Sequence, residues 1–99
     1  MILVAGTFRM PPENVTIALG MARRVIEATR AEDGCITYAY AQDLLDPGLI
    51  HVSESWRDRE ALAAHGKSAH MQAWVTERAV LNLTERAIRM YETDDGEAI

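Results

Sequence analysis

The run "ILVAGTF", Ile2 to Phe8, is made of residues that suit an extended chain, and it is apolar on both parities. In a strand, Ile2, Val4 and Phe8 point one way, while Leu3, Ala5 and Thr7 point the other. A sheet with one face in water alternates apolar and polar residues, so this strand calls for cover on both faces. Helices of the same chain are expected to cover one face. A second copy, packed sheet to sheet, is expected to cover the other.

The rest of the pattern supplies those helices. Pro11 and Pro12 stop the strand and suit a helix start. From Glu13 the less polar positions are Val15, Ala18, Leu19, Ala22, Val25, Ile26 and Thr29, the helical series over four turns, with Gly34 expected to end it in the left-handed conformation. "CITYAYAQ" and "LIHVSESW" read as a hairpin around the turn "DLLDPG". Ile36, Tyr38 and Tyr40 share one parity of the first strand. Ile50, Val52, Glu54 and Trp56 share one parity of the second, with His51 on the other. Asp58 is placed to cap "REALAAH", Gly66 to interrupt it, and Ser68 to cap "AHMQAWVTERAV". "LNLTERAIRMYE" reads as a last strand, with Leu83, Ala87 and Tyr91 on one parity. The order is β-α-β-β-α-β, the ferredoxin-like α+β arrangement with an antiparallel sheet and helices on one face.

Ninety-nine residues predict one domain, over 1–91, followed by an acidic tail, 92–99, expected to fray. The formal charge of -5 is concentrated in that tail; without Glu92, Asp94, Asp95 and Glu97 the balance is 11 acids to 10 bases. No basic patch stands out, which argues against a nucleic-acid partner. Cys35 is the single cysteine, so no disulfide forms within the chain. The first residues lack a basic flank and a long apolar run, so neither a signal peptide nor a membrane span is expected, and a cytoplasmic setting is.

The chemistry-bearing window is "SESWRDREALAAHGKSAHMQAW", which holds both tryptophans and two of the three histidines. His65 and His70 lie five apart, about 140° around a regular helix, and no third ligand stands at a familiar spacing. The spacing therefore sets a metal aside. Histidine titrates in the range a general base needs.

"EDGCITYAYAQDLLDPGLIHVSESWRDREALAAHGKSAHMQAW" resembles the antibiotic biosynthesis monooxygenase domain family, the group that includes quinol monooxygenases. The resemblance rests on "EDGC" leading into a tyrosine-bearing strand, "ESW" closing the third strand, then "EALAAH" and "SAHMQA". It implies a dimeric α/β barrel, a homodimer through the sheet face, and a pocket between sheet and helices. It also implies oxidation of a small hydroxyaromatic or quinol by O2, with no metal, flavin or haem as cofactor. His65 and His70 stand at the family's two histidine positions and are the catalytic candidates.

Trp56, Trp74, Tyr38 and Tyr40 are candidates to wall a flat substrate, and Glu54 to orient a histidine or brace its strand. Arg9 or Arg89 is a candidate to hold an oxyanion. Haem degradation, known in relatives, fits poorly, because Thr7, His65 and Val75 stand where those relatives carry asparagine, tryptophan and histidine. Two alternatives stay open: an isomerase of a small phosphorylated diketone, and a non-catalytic small-molecule-binding or stress-response module.

Overall fold

The computed structural model describes Met1–Ile99. Four strands, β1 (Ile2–Arg9), β2 (Cys35–Gln42), β3 (Leu49–Trp56) and β4 (Thr84–Glu92), form one antiparallel sheet in the order β2-β3-β1-β4. Three α-helices, α1 (Val15–Arg30), α2 (Arg59–Gly66) and α3 (Ala69–Glu77), complete the ferredoxin-like α+β fold. The sheet is open, with β2 and β4 as its edges.

Strand parity sorts as the alternation dictates. Ile2, Val4 and Phe8, Tyr38, and Ile50, Val52, Glu54 and Trp56 are buried. They share the inner face, as the cross-strand pairs Ile2–Trp56, Val4–Glu54 and Tyr38–Glu54 require. The other face is uncovered and mixed. Leu3, Ala5 and Tyr91 are exposed on it beside Ser53, His51 and Arg89.

The helix side of the core divides into two clusters. One holds Phe8, Met10, Ala22, Val25, Ile50, Val52, Trp74 and Leu81. The other holds Ile2, Val4, Tyr38, Trp56 and Ala61 at the opposite end of the strands. Tyr40, Ile26 and Ile88 pack against both, so these side chains join the two ends.

Several local expectations need correction. Helix α1 ends at Arg30, with Ala31 as a right-handed cap, four residues before Gly34. Gly34 instead opens β2 at φ +85, where an added Cβ would stand 2.6 Å from the Ala61 Cβ. Ile36 does not join Tyr38 on the inner face: the β2–β3 register slips between Cys35 and Thr37, and Ile36 is exposed. Helix α3 gives way to a 3-10 turn at Arg78–Leu81, and Asn82, left-handed at φ 55, redirects the chain into β4. The parity of β4 that reaches the core is that of Ile88, while Ala87 and Tyr91 face outward opposite Thr7 and Leu3. Order continues past residue 91, since Glu92 pairs with Ile2, and Met1 and Thr93 exchange backbone hydrogen bonds.

No helix is long and apolar enough to cross a membrane.

Candidate active site

The loop after α1 and the distant α2–α3 joint meet at the lower-numbered end of β1. The loop after α1 brings Glu32, the last turn of α2 brings His65, and the first turn of α3 brings His70. Glu32 Oε2 lies 2.7 Å from His65 Nδ1 and 2.9 Å from His70 Nε2. The side chains are 16%, 5% and 25% exposed, respectively, so His70 is the one that reaches water. An ionised carboxylate only accepts hydrogen bonds. With Glu32 ionised, His65 Nδ1 and His70 Nε2 both donate, and the free lone pairs fall on His65 Nε2 and His70 Nδ1.

Local rules explain the joint. Asp58 accepts from the Ala61 N–H at the start of α2, and Ser68 Oγ accepts from the Met71 N–H at the start of α3. Ser68 also donates from Oγ and from its own N–H to the His65 carbonyl, which ties the two helices together at the histidine. Gly66 is not what permits the bend. Nothing lies within 4 Å of a Cβ added there, and its φ is not positive.

Around the histidines the walls are aromatic. The His65 ring centroid is 4.9 Å from that of Trp56 and 5.3 Å from that of Tyr38, and 6.1 Å from that of His70. Trp56 is fully buried, and its Nε1 donates to Glu54 Oε1 at 2.9 Å. Glu54 thus braces the tryptophan; neither histidine hydrogen-bonds to it.

Burial raises the Glu54 carboxyl above its ordinary value, only partly offset by the Trp56 hydrogen bond and by His65. The folded state therefore holds the Glu54 proton to higher pH than the unfolded state does. As pH rises through the ordinary carboxylate range, the unfolded chain releases that proton first, and the stability contribution of this group falls. Glu54→Gln is expected to be more stable than the parent at neutral pH, with the advantage vanishing below about pH 4, where the carboxyl is protonated in both states. Denaturant midpoints of the two chains across that range check this.

An apolar-lined cavity of about 380 Å³ lies at the other end of the sheet, between α1 and the strands. Phe8, Ile26, Tyr40, Ile50 and Trp74 wall it, and Arg30 borders it. Leu19 also lines this cavity, which accounts for a residue of the apolar stripe of α1 being 68% exposed. Of the substrate-wall candidates, Trp74 and Tyr40 border the cavity, while Trp56 and Tyr38 sit behind it in the core, as does Glu54. The link between the two ends is a hydroxyl pair: Tyr38 Oη and Tyr40 Oη are 2.7 Å apart. Burial pushes both phenols up, so both stay neutral near pH 7. Trp74 Nε1 is buried with no hydrogen-bond partner.

Two residues of this arrangement escaped the sequence reading. Glu32 is the third donor that spacing did not reveal. Arg30 lines the cavity beside Arg23, where Arg9 and Arg89 do not, and its Nε donates to the Tyr38 carbonyl. Arg9 pairs with Asp46 at 2.8 Å and with Glu85 at 3.3 Å, and Arg89 sits opposite Ala5 on the outer parity. His51 is exposed, 2.8 Å from Asp43 Oδ2, on the outer parity as expected.

Fold and site together describe a ferredoxin-like α+β protein with an aromatic cavity beside its helices and a carboxylate-bridged histidine pair in the adjoining core. The chain belongs to the antibiotic biosynthesis monooxygenase family, whose model matches residues 1–77. It is 26% identical over 98 residues to the uncharacterized protein sll1783 of Synechocystis, covering 99% of this chain and 67% of that protein. It is 27% identical over 75 residues to the "Putative monooxygenase YcnE" of Bacillus subtilis, covering 76% and 79%. Among solved structures, one described as a "putative antibiotic biosynthesis monooxygenase" from Deinococcus radiodurans superposes with a TM-score of 0.90 at 27% identity, covering 100% of this chain and 98% of that one.

Proposed function

We propose that the protein is a monooxygenase that oxidises a small hydroxyaromatic or quinol with O2, the substrate itself supplying the electrons. The observation that carries this reading is the hydroxyl pair Tyr40–Tyr38, which runs from the cavity wall toward the imidazoles held by Glu32. Family membership supports it.

The cavity between Phe8, Tyr40 and Trp74, lined by aromatic rings, suits an aromatic substrate. Deprotonation of the substrate hydroxyl makes the ring electron-rich. The anion passes one electron to O2, and the two radicals combine to form a carbon–oxygen bond, giving a ring peroxide. Cleavage of its O–O bond with loss of water leaves a quinone, so one oxygen atom stays on the ring and the other leaves as water. Tyr40, kept neutral, donates to the substrate oxyanion, and Arg30 at the cavity edge favours its negative charge. His65, packed against Tyr38, and His70, open to solvent, take the proton and release it. No hydrogen bond joins Tyr38 to His65, so this transfer requires a bridging water or a ring movement when substrate binds.

Trp74→Phe keeps a large ring but removes an N–H that has no protein partner. The variant is expected to match or slightly exceed the parent in unfolding midpoint. Because Nε1 is closed off from the cavity, KM is expected to stay that of the parent. Steady-state oxygen uptake together with thermal unfolding checks both.

We further propose that a second copy covers the outer sheet face around Leu3, Ala5 and Tyr91, as the two-sided apolar character of β1 supports. Sedimentation equilibrium at micromolar concentration tests this: a dimer is expected, and a monomer contradicts it.

A further inference from the structure

We propose that Glu32, His65 and His70 form a binding site for a divalent transition-metal ion. Their donor atoms lie within 4.8 Å of one another, and both Glu32–histidine distances are already below 3 Å. Donors that share one ion each stand about 2.1 Å from it, hence roughly 3 to 4 Å apart. Bringing Glu32 Oε2, His65 Nδ1 and His70 Nε2 onto a shared ion needs closure or opening of at most about an ångström.

The donor set is two imidazoles and one carboxylate, which suits zinc, cobalt, nickel or ferrous iron and leaves at least one position open. The surroundings favour such an ion. His65 is pressed between Trp56 and Tyr38, so its ring is held in place and water is limited on that side. His65 and His70 come from helices fixed by the Asp58 and Ser68 caps, and Glu32 from a loop held by its own N–H to the Thr29 carbonyl and by the Cys35 N–H to its carbonyl. Binding needs no net proton loss from neutral imidazoles. The proton on each ring moves from the nitrogen facing Glu32 to the opposite nitrogen, and the freed lone pair takes the ion. Acid weakens binding by protonating the ligands.

An ion on these nitrogens fixes the tautomers and removes the pair from the proposed proton transfer, so the occupied and proton-accepting states exclude each other.

The test is titration of the metal-stripped full-length chain with cobalt(II) at neutral pH, read by visible d–d absorption and by metal content after desalting. The expected result is one cobalt per chain with the intense bands of a four- or five-coordinate site. Glu32→Gln and His70→Gln should each weaken binding by at least about 100-fold, since loss of a ligand matches or exceeds the loss of an outer-shell partner. His70, partly exposed, is the variant least exposed to folding failure, and circular dichroism of each variant confirms the fold. His51→Gln, on the outer parity, should bind as the parent does. Absence of binding, retention of binding in both triad variants, or its loss in His51→Gln overturns the site. Cobalt binding without oxidation of any quinol leaves the site standing and removes the proposed function; oxidation without cobalt binding does the reverse.

Discussion

Glu32→Gln is expected to lower kcat for quinol-dependent oxygen uptake by about 100-fold or more, the range that loss of general acid–base function brings, with little change in KM. The carboxylate accepts from both imidazoles at once, at 2.7 and 2.9 Å. An amide offers one carbonyl and one NH2 group. Placed with its carbonyl at the Oε2 position, the amide still accepts from both rings, but it is neutral, so it no longer stabilises the imidazolium formed when either ring takes the substrate proton. KM is spared because Glu32 does not border the cavity. His70→Ala is expected to fall by a similar factor, and the double variant by little more than either single one, because residues acting as a unit are not additive. Full additivity, or a rise in KM with kcat unchanged, would show that Glu32 acts by shaping the pocket.

The second large effect concerns the fold. Gly6→Ala is expected to destabilise the protein by about 3 kcal/mol, at the upper end of what overpacking costs. In a chain of this size that lowers the thermal midpoint by roughly 15 °C. A Cβ at Gly6 would stand 2.1 Å from the Ala87 carbonyl oxygen and 2.6 Å from the Ile88 Cα. Both are backbone atoms of the neighbouring strand, so no side-chain rotation relieves the contact, and β4 has to move away from β1. Gly20 is the control. It lies exposed within α1 with nothing within 4 Å of an added Cβ, so Gly20→Ala is expected to stabilise by about 0.5–1 kcal/mol. Thermal and urea unfolding of the two variants should move in opposite directions.

Much of this architecture was legible in the chain because periodicity acts locally. The strand parities of β1 and β3, the stripe of α1 and the caps at Asp58 and Ser68 all depend on neighbours within a few residues. What was not legible depends on contacts between distant segments. Glu32 stands 33 residues from His65, and nothing in that interval marks them as partners. The only signal was its place at the head of "EDGC", where the family resemblance begins. Gly66 drew attention as the helix joint, yet the hydrogen bonds that fix the joint belong to Ser68. Gly6, silent within an apolar run, proves to be a point where β4 leaves no room for a Cβ. The slip that turns Ile36 outward is a pairing event between β2 and β3, so parity counted along one strand could not anticipate it. Aromatic candidates divided similarly: sequence grouped Trp56, Trp74, Tyr38 and Tyr40, and packing left Trp74 and Tyr40 beside the cavity.

The cavity and the imidazoles lie apart, so the proposed proton transfer crosses the Tyr40–Tyr38 pair. The most direct measurement is oxygen uptake with a panel of quinols and hydroxyaromatics, comparing the parent chain with His65→Ala and His70→Ala, each shown to be folded. The account predicts turnover by the parent with at least one quinol, formation of quinone in step with O2 consumed, and rates reduced about 100-fold in both variants. Unchanged rates in both variants, or no uptake above the uncatalysed rate by the parent with any member of the panel, would contradict it.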